Sequence, residues 1–115
     1  MKKVYVAGAI SAPSVEEGLK NIRKGIVAAA ELLNLGLSPY CPHLDYQFNL
    51  VQDEVHIDVE TYYKHDLEWL KMCDCMLVLP GWEHSKGVNC EIAFAEQNNI
   101  PIYFSKEQIL MHERV

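Results

Sequence analysis

The sequence predicts an α/β domain built on a mainly parallel sheet, from three observations. Short, nearly unbroken apolar runs recur at residues 4–7, 75–79 and 100–104, stretches with apolar residues at helical spacing separate them, and each run is closed by glycine, proline or polar turn residues. Runs without polar alternation belong to strands buried on both faces. Parallel neighbours also require crossover helices, so the order β-α-β-α-β-α-β implies helices on both sides of the sheet. The expected architecture is a Rossmann-like or flavodoxin-like three-layer sandwich with a mainly parallel sheet of four or five strands. At 115 residues the chain suits one domain, spanning 1–115.

The elements follow in order. Val4, Tyr5, Val6 and Ala7 form the heart of a first strand within Lys3 to Ile10, stopped by Gly8. Ser14 with Glu17 has the form of a capping box, and Leu19, Ile22, Ile26, Ala29, Ala30 and Leu33 keep helical spacing to an end near Gly36. Leu37 to Tyr40 is a short strand broken by Pro39 and Pro42, hence near an edge or ending early. Cys41 to Val59 shows no clean period and is long for a connection, which suits a lid or substrate loop. Asp58 or Thr61 opens a helix carrying Tyr62, Leu67, Trp69, Leu70 and Met72 to about Cys73. Cys75 to Leu79 is the next strand, Asn89 to Asn98 the next helix, and Ile100 to Phe104 the last strand after an Asn-Asn turn. The tail from Lys106 has an apolar face and either caps its own sheet or reaches a partner's cleft.

Composition narrows the function. Ten basic residues against 16 acidic ones give a formal charge of −6, which speaks against binding to nucleic-acid polymers or anionic membranes. A bound phosphate would have to be gripped locally. The apolar run after Met1-Lys2-Lys3 is too brief for a signal segment and no long apolar span follows, so a cytoplasmic protein is expected. Cys41, Cys73, Cys75 and Cys90 lack zinc-site spacing and suit buried, reduced thiols. His43 with Asp45, and His56 with Asp58, are metal-capable pairs, but their polar loop favours solvated or substrate-facing side chains. Gly8-Ala9-Ile10-Ser11-Ala12 lacks the later glycines of a dinucleotide fingerprint and there is no P-loop. Neither a metal nor a cofactor is expected.

The stretch from Leu79 to Glu91, Leu-Pro-Gly-Trp-Glu-His-Ser-Lys-Gly-Val-Asn-Cys-Glu, concentrates the chemistry. A strand ends, a glycine-flanked polar loop turns, and a carboxylate arrives as a helix begins. The helix start favours anions, so Glu91 is expected to stay ionised while Ser85-Lys86-Gly87 cradles a second negative group. In a parallel sheet ligands bind beyond the carboxyl ends of the strands, so Gly8 to Ser11 and Gly81 to Gly87 should face one cleft. Trp82 either stacks on a base or plugs the gap beside Pro80.

Three motifs, Val4-Tyr5-Val6-Ala7-Gly8-Ala9-Ile10, His65-Asp66-Leu67-Glu68-Trp69-Leu70 and Ser85-Lys86-Gly87-Val88-Asn89-Cys90-Glu91, resemble the nucleoside 2-deoxyribosyltransferase superfamily. The second and third are most similar to its 2′-deoxynucleoside 5′-monophosphate N-glycosidases, and Leu-Pro-Gly-Trp-Glu-x-Ser-x-Gly to a small bacterial and phage branch. The resemblance implies a catalytic set of Glu91 as nucleophile, Asp66 near the leaving base and sugar, and Tyr5 orienting the nucleophile. The chemistry is coherent: a carboxylate below the sugar captures an oxocarbenium-like centre while a protonated group assists the base. Without the resemblance, Tyr5 reads as a core aromatic and Asp66 as a solvated helix acid paired with Lys64 or Lys71. Transferases of the superfamily carry an acid six positions before the nucleophile; Ser85 stands there instead and favours a nucleoside monophosphate. Ala9 stands where the monophosphate hydrolases tend to have serine, and Ser11 where they tend to have arginine. The expected substrate-binding set is Gly8, Ala9, Ile10, Ser11, His43, Trp82, Ser85, Lys86 and Gly87. Expected partners are a small nucleotide and further copies of the chain, in a homodimer or a multiple of one. The alternative function is a non-catalytic sensor or sequestering module for a nucleotide-derived ligand.

Overall fold

Two central strands, covered on both faces, carry the molecule. The computed structural model describes residues 1–114. Its elements are β1 (Lys3–Ala7), α1 (Val15–Asn34), β2 (Ser38–Tyr40), a 3-10 segment (Pro42–Val51), α2 (Val59–Leu70), β3 (Cys75–Val78), α3 (Lys86–Gln97), β4 (Ile102–Tyr103) and α4 (Lys106–His112). The sheet has four strands in the order β2-β1-β3-β4, all parallel. The short, proline-bearing β2 lies at an edge, where a missing N–H costs least.

Alternation along β1 and β3 sorts the core into two layers. Val4, Val6, Cys75 and Leu77 pack with Ala29 and Leu32 of α1 and Ile109 of α4. Tyr5, Ala7, Met76 and Val78 pack with Leu70 of α2 and with Val88 and Ala95 of α3. Because both faces are covered, neither strand can afford polar alternation.

Each helix opens on a side-chain cap. Ser14, Asp58, Ser85 and Ser105 accept from the backbone N–H groups of Glu17, Thr61, Val88 and Gln108 at 3.2, 3.0, 3.3 and 3.2 Å. Each such cap stabilises its helix by about 1 kcal/mol. The Ser85 cap starts α3 three residues earlier than the apolar spacing alone suggests, which places Glu91 in the second helical turn rather than at the helix start. α2 stops at Leu70, short of Cys73. Gly36 follows α1 with φ +83°, the left-handed conformation that ends helices on glycine.

The irregular stretch after β2 is not uniformly solvated. His43 is buried, at 1 % exposure, which removes the solvated alternative of the expectation and leaves the substrate-facing one. Its ring fills a notch that Gly25 leaves in α1: a Cβ at Gly25 would lie 2.2 Å from His43 Cγ. The tail settles on its own chain, with Ile109 in the core, Tyr103 Oη donating to Glu113 Oε2 at 2.5 Å, and the His112 ring parallel to that of Tyr103. Among the cysteines only Cys41 and Cys75 are fully buried, while Cys90 is exposed on α3; all four are free. Among the described residues no helix is long and apolar enough to cross a membrane.

Candidate active site

Tyr5 brings the sheet to the candidate nucleophile. It lies mid-β1 with no exposed surface, on the face that α2 and α3 cover, and its hydroxyl donates a hydrogen bond to Glu91 Oε2. Burial pushes the Glu91 carboxyl up to about 7, while the bond from Tyr5 pulls the other way. This corrects the expectation of a permanently ionised carboxylate: Glu91 is half-buried and a turn away from the free N–H groups of the helix start, so desolvation wins over the dipole. Near neutral pH it populates both forms. Tyr5 itself is driven far upward, first by burial and then by the charge of Glu91, so it remains a donor.

Asp66 is no solvated helix acid. It faces the sheet from α2 at 9 % exposure, and Lys64 and Lys71 pair with Glu60 and Glu68 instead, at 3.4 and 3.5 Å. Tyr40 Oη donates to Asp66 Oδ1 at 3.1 Å and lies 3.0 Å from His65 Nε2. Burial raises the Asp66 carboxyl above its ordinary range, and the neighbouring Asp45 and the charge of Glu91 push the same way, against a smaller lowering by Tyr40. Stacked rings run outward from the nucleophile's partner, from Tyr5 to Tyr40 at 5.6 Å and from Tyr40 to Trp69 at 5.7 Å between centroids.

Asp45, His65 and Asp66 offer ligand atoms within 4.8 Å of one another, the one such histidine–carboxylate grouping among the described residues. Tyr40 already makes contacts to His65 Nε2 and Asp66 Oδ1 within this grouping. Tyr40 and His65 were not candidates from sequence, and Asp45 was named only in a metal-capable pair with His43. Tyr40 pairs in register with Tyr5 across β1 and β2, a signal that needs the strand pairing to be known. Asp45 sits in a segment with no period to reveal it.

The loop before α3 is held from within. Asn89 Nδ2 lies 3.4, 3.2 and 2.8 Å from the carbonyl oxygens of Trp82, Glu83 and Ser85, and Gly81 turns with φ +89°. Ser85 Oγ accepts from Val88, which leaves its own proton for a ligand beside the first-turn N–H groups. Lys86 is exposed, and Gly87 faces the ring of Tyr63, 4.0 Å from where a Cβ would stand. Trp82 is half-buried with its ring tilted against Phe104 at 5.8 Å.

The remaining binding candidates cluster on the α1 side. Gly8, Ala9 and His43 line a cavity of about 460 Å³ together with Arg23, Lys24 and Gly81. Gly8 permits the close approach there, since a Cβ would fall 2.9 Å from Leu79 Cδ1 and 3.2 Å from His43 Nε2. His43 Nε2 is buried without a partner, and burial drives the imidazole down to about 4, so it is neutral. Ile10 and Ser11 lie exposed on the loop beyond, where the Ile10 carbonyl receives Asn21 Nδ2 at 3.5 Å. Tyr5, Asp66 and Glu91 are not part of that lining, so the candidate residues fall into a carboxylate cluster and a neighbouring cavity.

With this geometry in view, comparison with known proteins gives one family and one fold. The profile of the family described as "Domain of unknown function (DUF7768)" matches residues 2–105. No curated protein matches the chain. Among solved structures, a 2-deoxyribosyltransferase from Bacillus psychrosaccharolyticus is similar with a TM-score of 0.61 and 24 % identity, covering 87 % of this chain and 69 % of its own. A 2-desoxiribosyltransferase from Leishmania mexicana is similar at 0.60 and 15 %, over 90 % of this chain and 63 % of its own. A CMP N-glycosidase, BcmB, from Clostridium botulinum is similar at 0.53 and 19 %, over 96 % of this chain and 78 % of its own. These likenesses carry the fold: the parallel four-stranded α/β sandwich is that of the deoxyribosyltransferases.

Proposed function

We propose that this chain, which belongs to the DUF7768 family, is an enzyme that cleaves the N-glycosidic bond of a 2′-deoxynucleoside 5′-monophosphate or related nucleotide, by hydrolysis or base transfer. The observation that carries this reading is the bond from the buried Tyr5 hydroxyl to Glu91, with Asp66 close enough for the charge of Glu91 to act on it. Glu91 is the nucleophile toward C1′, Tyr5 orients it, and Asp66 supplies the proton that the departing base needs. The similar structures named as 2-deoxyribosyltransferases and as a CMP N-glycosidase support the reaction class.

Ser85, with Lys86 and Gly87 at the start of α3, binds the 5′-phosphate through its free hydroxyl proton and the first-turn N–H groups. Trp82 and the segment after Cys41 contact the base. The working unit is a homodimer acting in the cytoplasm of a bacterium or on behalf of a phage. Its support is the set of large apolar side chains that α2 leaves exposed, Val59, Tyr63 and Trp69, which a second copy would cover. The test is to incubate the protein with a panel of deoxynucleoside and nucleoside monophosphates, CMP included, and follow free base by chromatography. Release by wild type but not by Glu91→Gln supports the reading, and no release from any member of the panel overturns it.

A second reading has its own observation. The cavity beside Arg23 and Lys24 holds the unpartnered His43 Nε2 yet neither Asp66 nor Glu91, which suits a module that binds a nucleotide-derived ligand without reacting with it. Tight binding without base release in the same panel would select it.

A further inference from the structure

We propose that Asp45 is a positioning residue that shares a single proton with Asp66, so that the pair stays singly protonated at neutral pH and can protonate the departing base. The inference rests on the N-glycosidic reading for its purpose, although the proton sharing can be measured without turnover.

The geometry makes the case. Asp45 comes from the 3-10 segment and Asp66 from α2, and with His65 their ligand atoms lie within 4.8 Å of one another. Two carboxylates this close in a partly dry site do not both ionise; one proton stays with the pair, and the pair titrates as a unit. The groups around Asp66 offset the repulsion only in part, through the hydrogen bond from Tyr40. They are Tyr5 from β1, Tyr40 from β2, Asp45 from the 3-10 segment, His65 beside it on α2, and Glu91 from α3. The charges that act on Asp66 are those of Asp45 and Glu91, both negative.

Two hydrogen-bonding facts fit a proton held by the pair. Tyr40 already donates to Asp66 Oδ1, so that oxygen is an acceptor. With the Tyr40 proton spent there, the contact to His65 Nε2 runs from the imidazole N–H to the tyrosine oxygen, and the chain points from His65 through Tyr40 to Asp66. Asp45 Oδ2 is buried with no partner. A full charge spread onto an unsolvated oxygen is costly, whereas a carboxyl that shares a proton tolerates it.

The reaction balances. As a Glu91 oxygen bonds to C1′, the C1′–N bond breaks, its electron pair goes to the base nitrogen, and the shared proton follows it. The pair is left with two charges. Water then attacks C1′, the ester bond to Glu91 breaks, and the proton from water returns to the pair.

The test is a pH titration of the full-length protein labelled with 13C at the aspartate carboxyls, read by NMR in wild type, Asp45→Asn and Asp66→Asn. One carboxyl of the pair should titrate above about pH 6 in wild type, and Asp45→Asn should lower the Asp66 midpoint by about one pH unit or more. Asp66→Asn should abolish the titration above pH 6, which assigns the high step. If no aspartate titrates above pH 6 in wild type, or if Asp45→Asn leaves the Asp66 midpoint unmoved, the proposal falls. The wild-type arm can overturn it even where a variant does not fold. On substrate, Asp45→Asn should shift the basic limb of kcat/KM to lower pH while leaving KM nearly unchanged. Failure of wild type to release base with the titration as expected would remove the N-glycosidic reading and leave the proton sharing standing.

Discussion

Gly25→Ala should destabilise this protein even though the same change in most helices does the opposite. In a helix interior alanine is better than glycine by about 0.5–1 kcal/mol. Here the added Cβ would lie 2.2, 2.3 and 2.4 Å from Cγ, Nδ1 and Cδ2 of His43, where contact needs roughly 3.5 Å. The ring is 1 % exposed and its Nε2 edge meets Gly8, so it can yield only toward the cavity that it lines. Overpacking of this kind costs about 1–3 kcal/mol after relaxation. At this chain length 1 kcal/mol corresponds to about 4 °C, so the melting temperature should fall by roughly 4–12 °C, read by circular dichroism. His43→Ala opens the space, and in that background Gly25→Ala should be neutral or mildly stabilising, giving a coupling of about 1 kcal/mol or more in a double-mutant cycle. Equal stability of Gly25→Ala and wild type, or an additive cycle, would refute the notch.

Three further outcomes concern the site. Glu91→Gln should reduce base release by about a thousandfold or more, roughly 4 kcal/mol of barrier, in the chromatographic assay. It should also be more stable than wild type at pH 8: the Glu91 carboxyl is raised to about 7 from an ordinary 4.5, so its stability contribution is full below pH 4.5 and lost as pH rises through 7. Thermal melts should show the two proteins converging toward pH 4.5. Tyr5→Phe removes the bond that favours the ionised form, so the acid limb of the activity profile should move to higher pH, and an unmoved limb would remove Tyr5 from that role. Ser85→Ala should cost about 1 kcal/mol of stability through the lost cap, while Ser85→Asp keeps the cap and repels a phosphate. Calorimetry should therefore find monophosphate binding weakened more by Ser85→Asp than nucleoside binding, and equal weakening would end the phosphate assignment.

What could be read from sequence depended on what repeats. The unbroken runs at Val4 and Met76 gave away central strands, because burial on two faces leaves no room for a polar phase, and Ser14 with Glu17 marked the start of α1. The start of α3 was misplaced because apolar spacing reports the buried stripe, whereas the helix began at the Ser85 cap. The reading of His43 as solvated or substrate-facing missed its burial, because burial of one histidine depends on a glycine elsewhere in the chain and no local pattern links Gly25 to it.

The same distinction explains the shape of the candidate site. Tyr5 and Glu91 lie on separate elements, and their meeting follows from a parallel sheet that carries β1 beside β3 and returns α3 over the face that Tyr5 occupies. That face is dry because Leu70, Val88 and Ala95 seal it, and dryness raises the Glu91 carboxyl toward neutrality and keeps Tyr5 a donor. A carboxylate that attacks carbon is a stronger nucleophile when poorly solvated, but it must still be ionised to react. The bond from Tyr5 serves the second requirement without wetting the first. The apolar core on this side of the sheet is therefore part of the proposed chemistry, and substitutions that let water reach Tyr5 should lower the Glu91 carboxyl and its reactivity together.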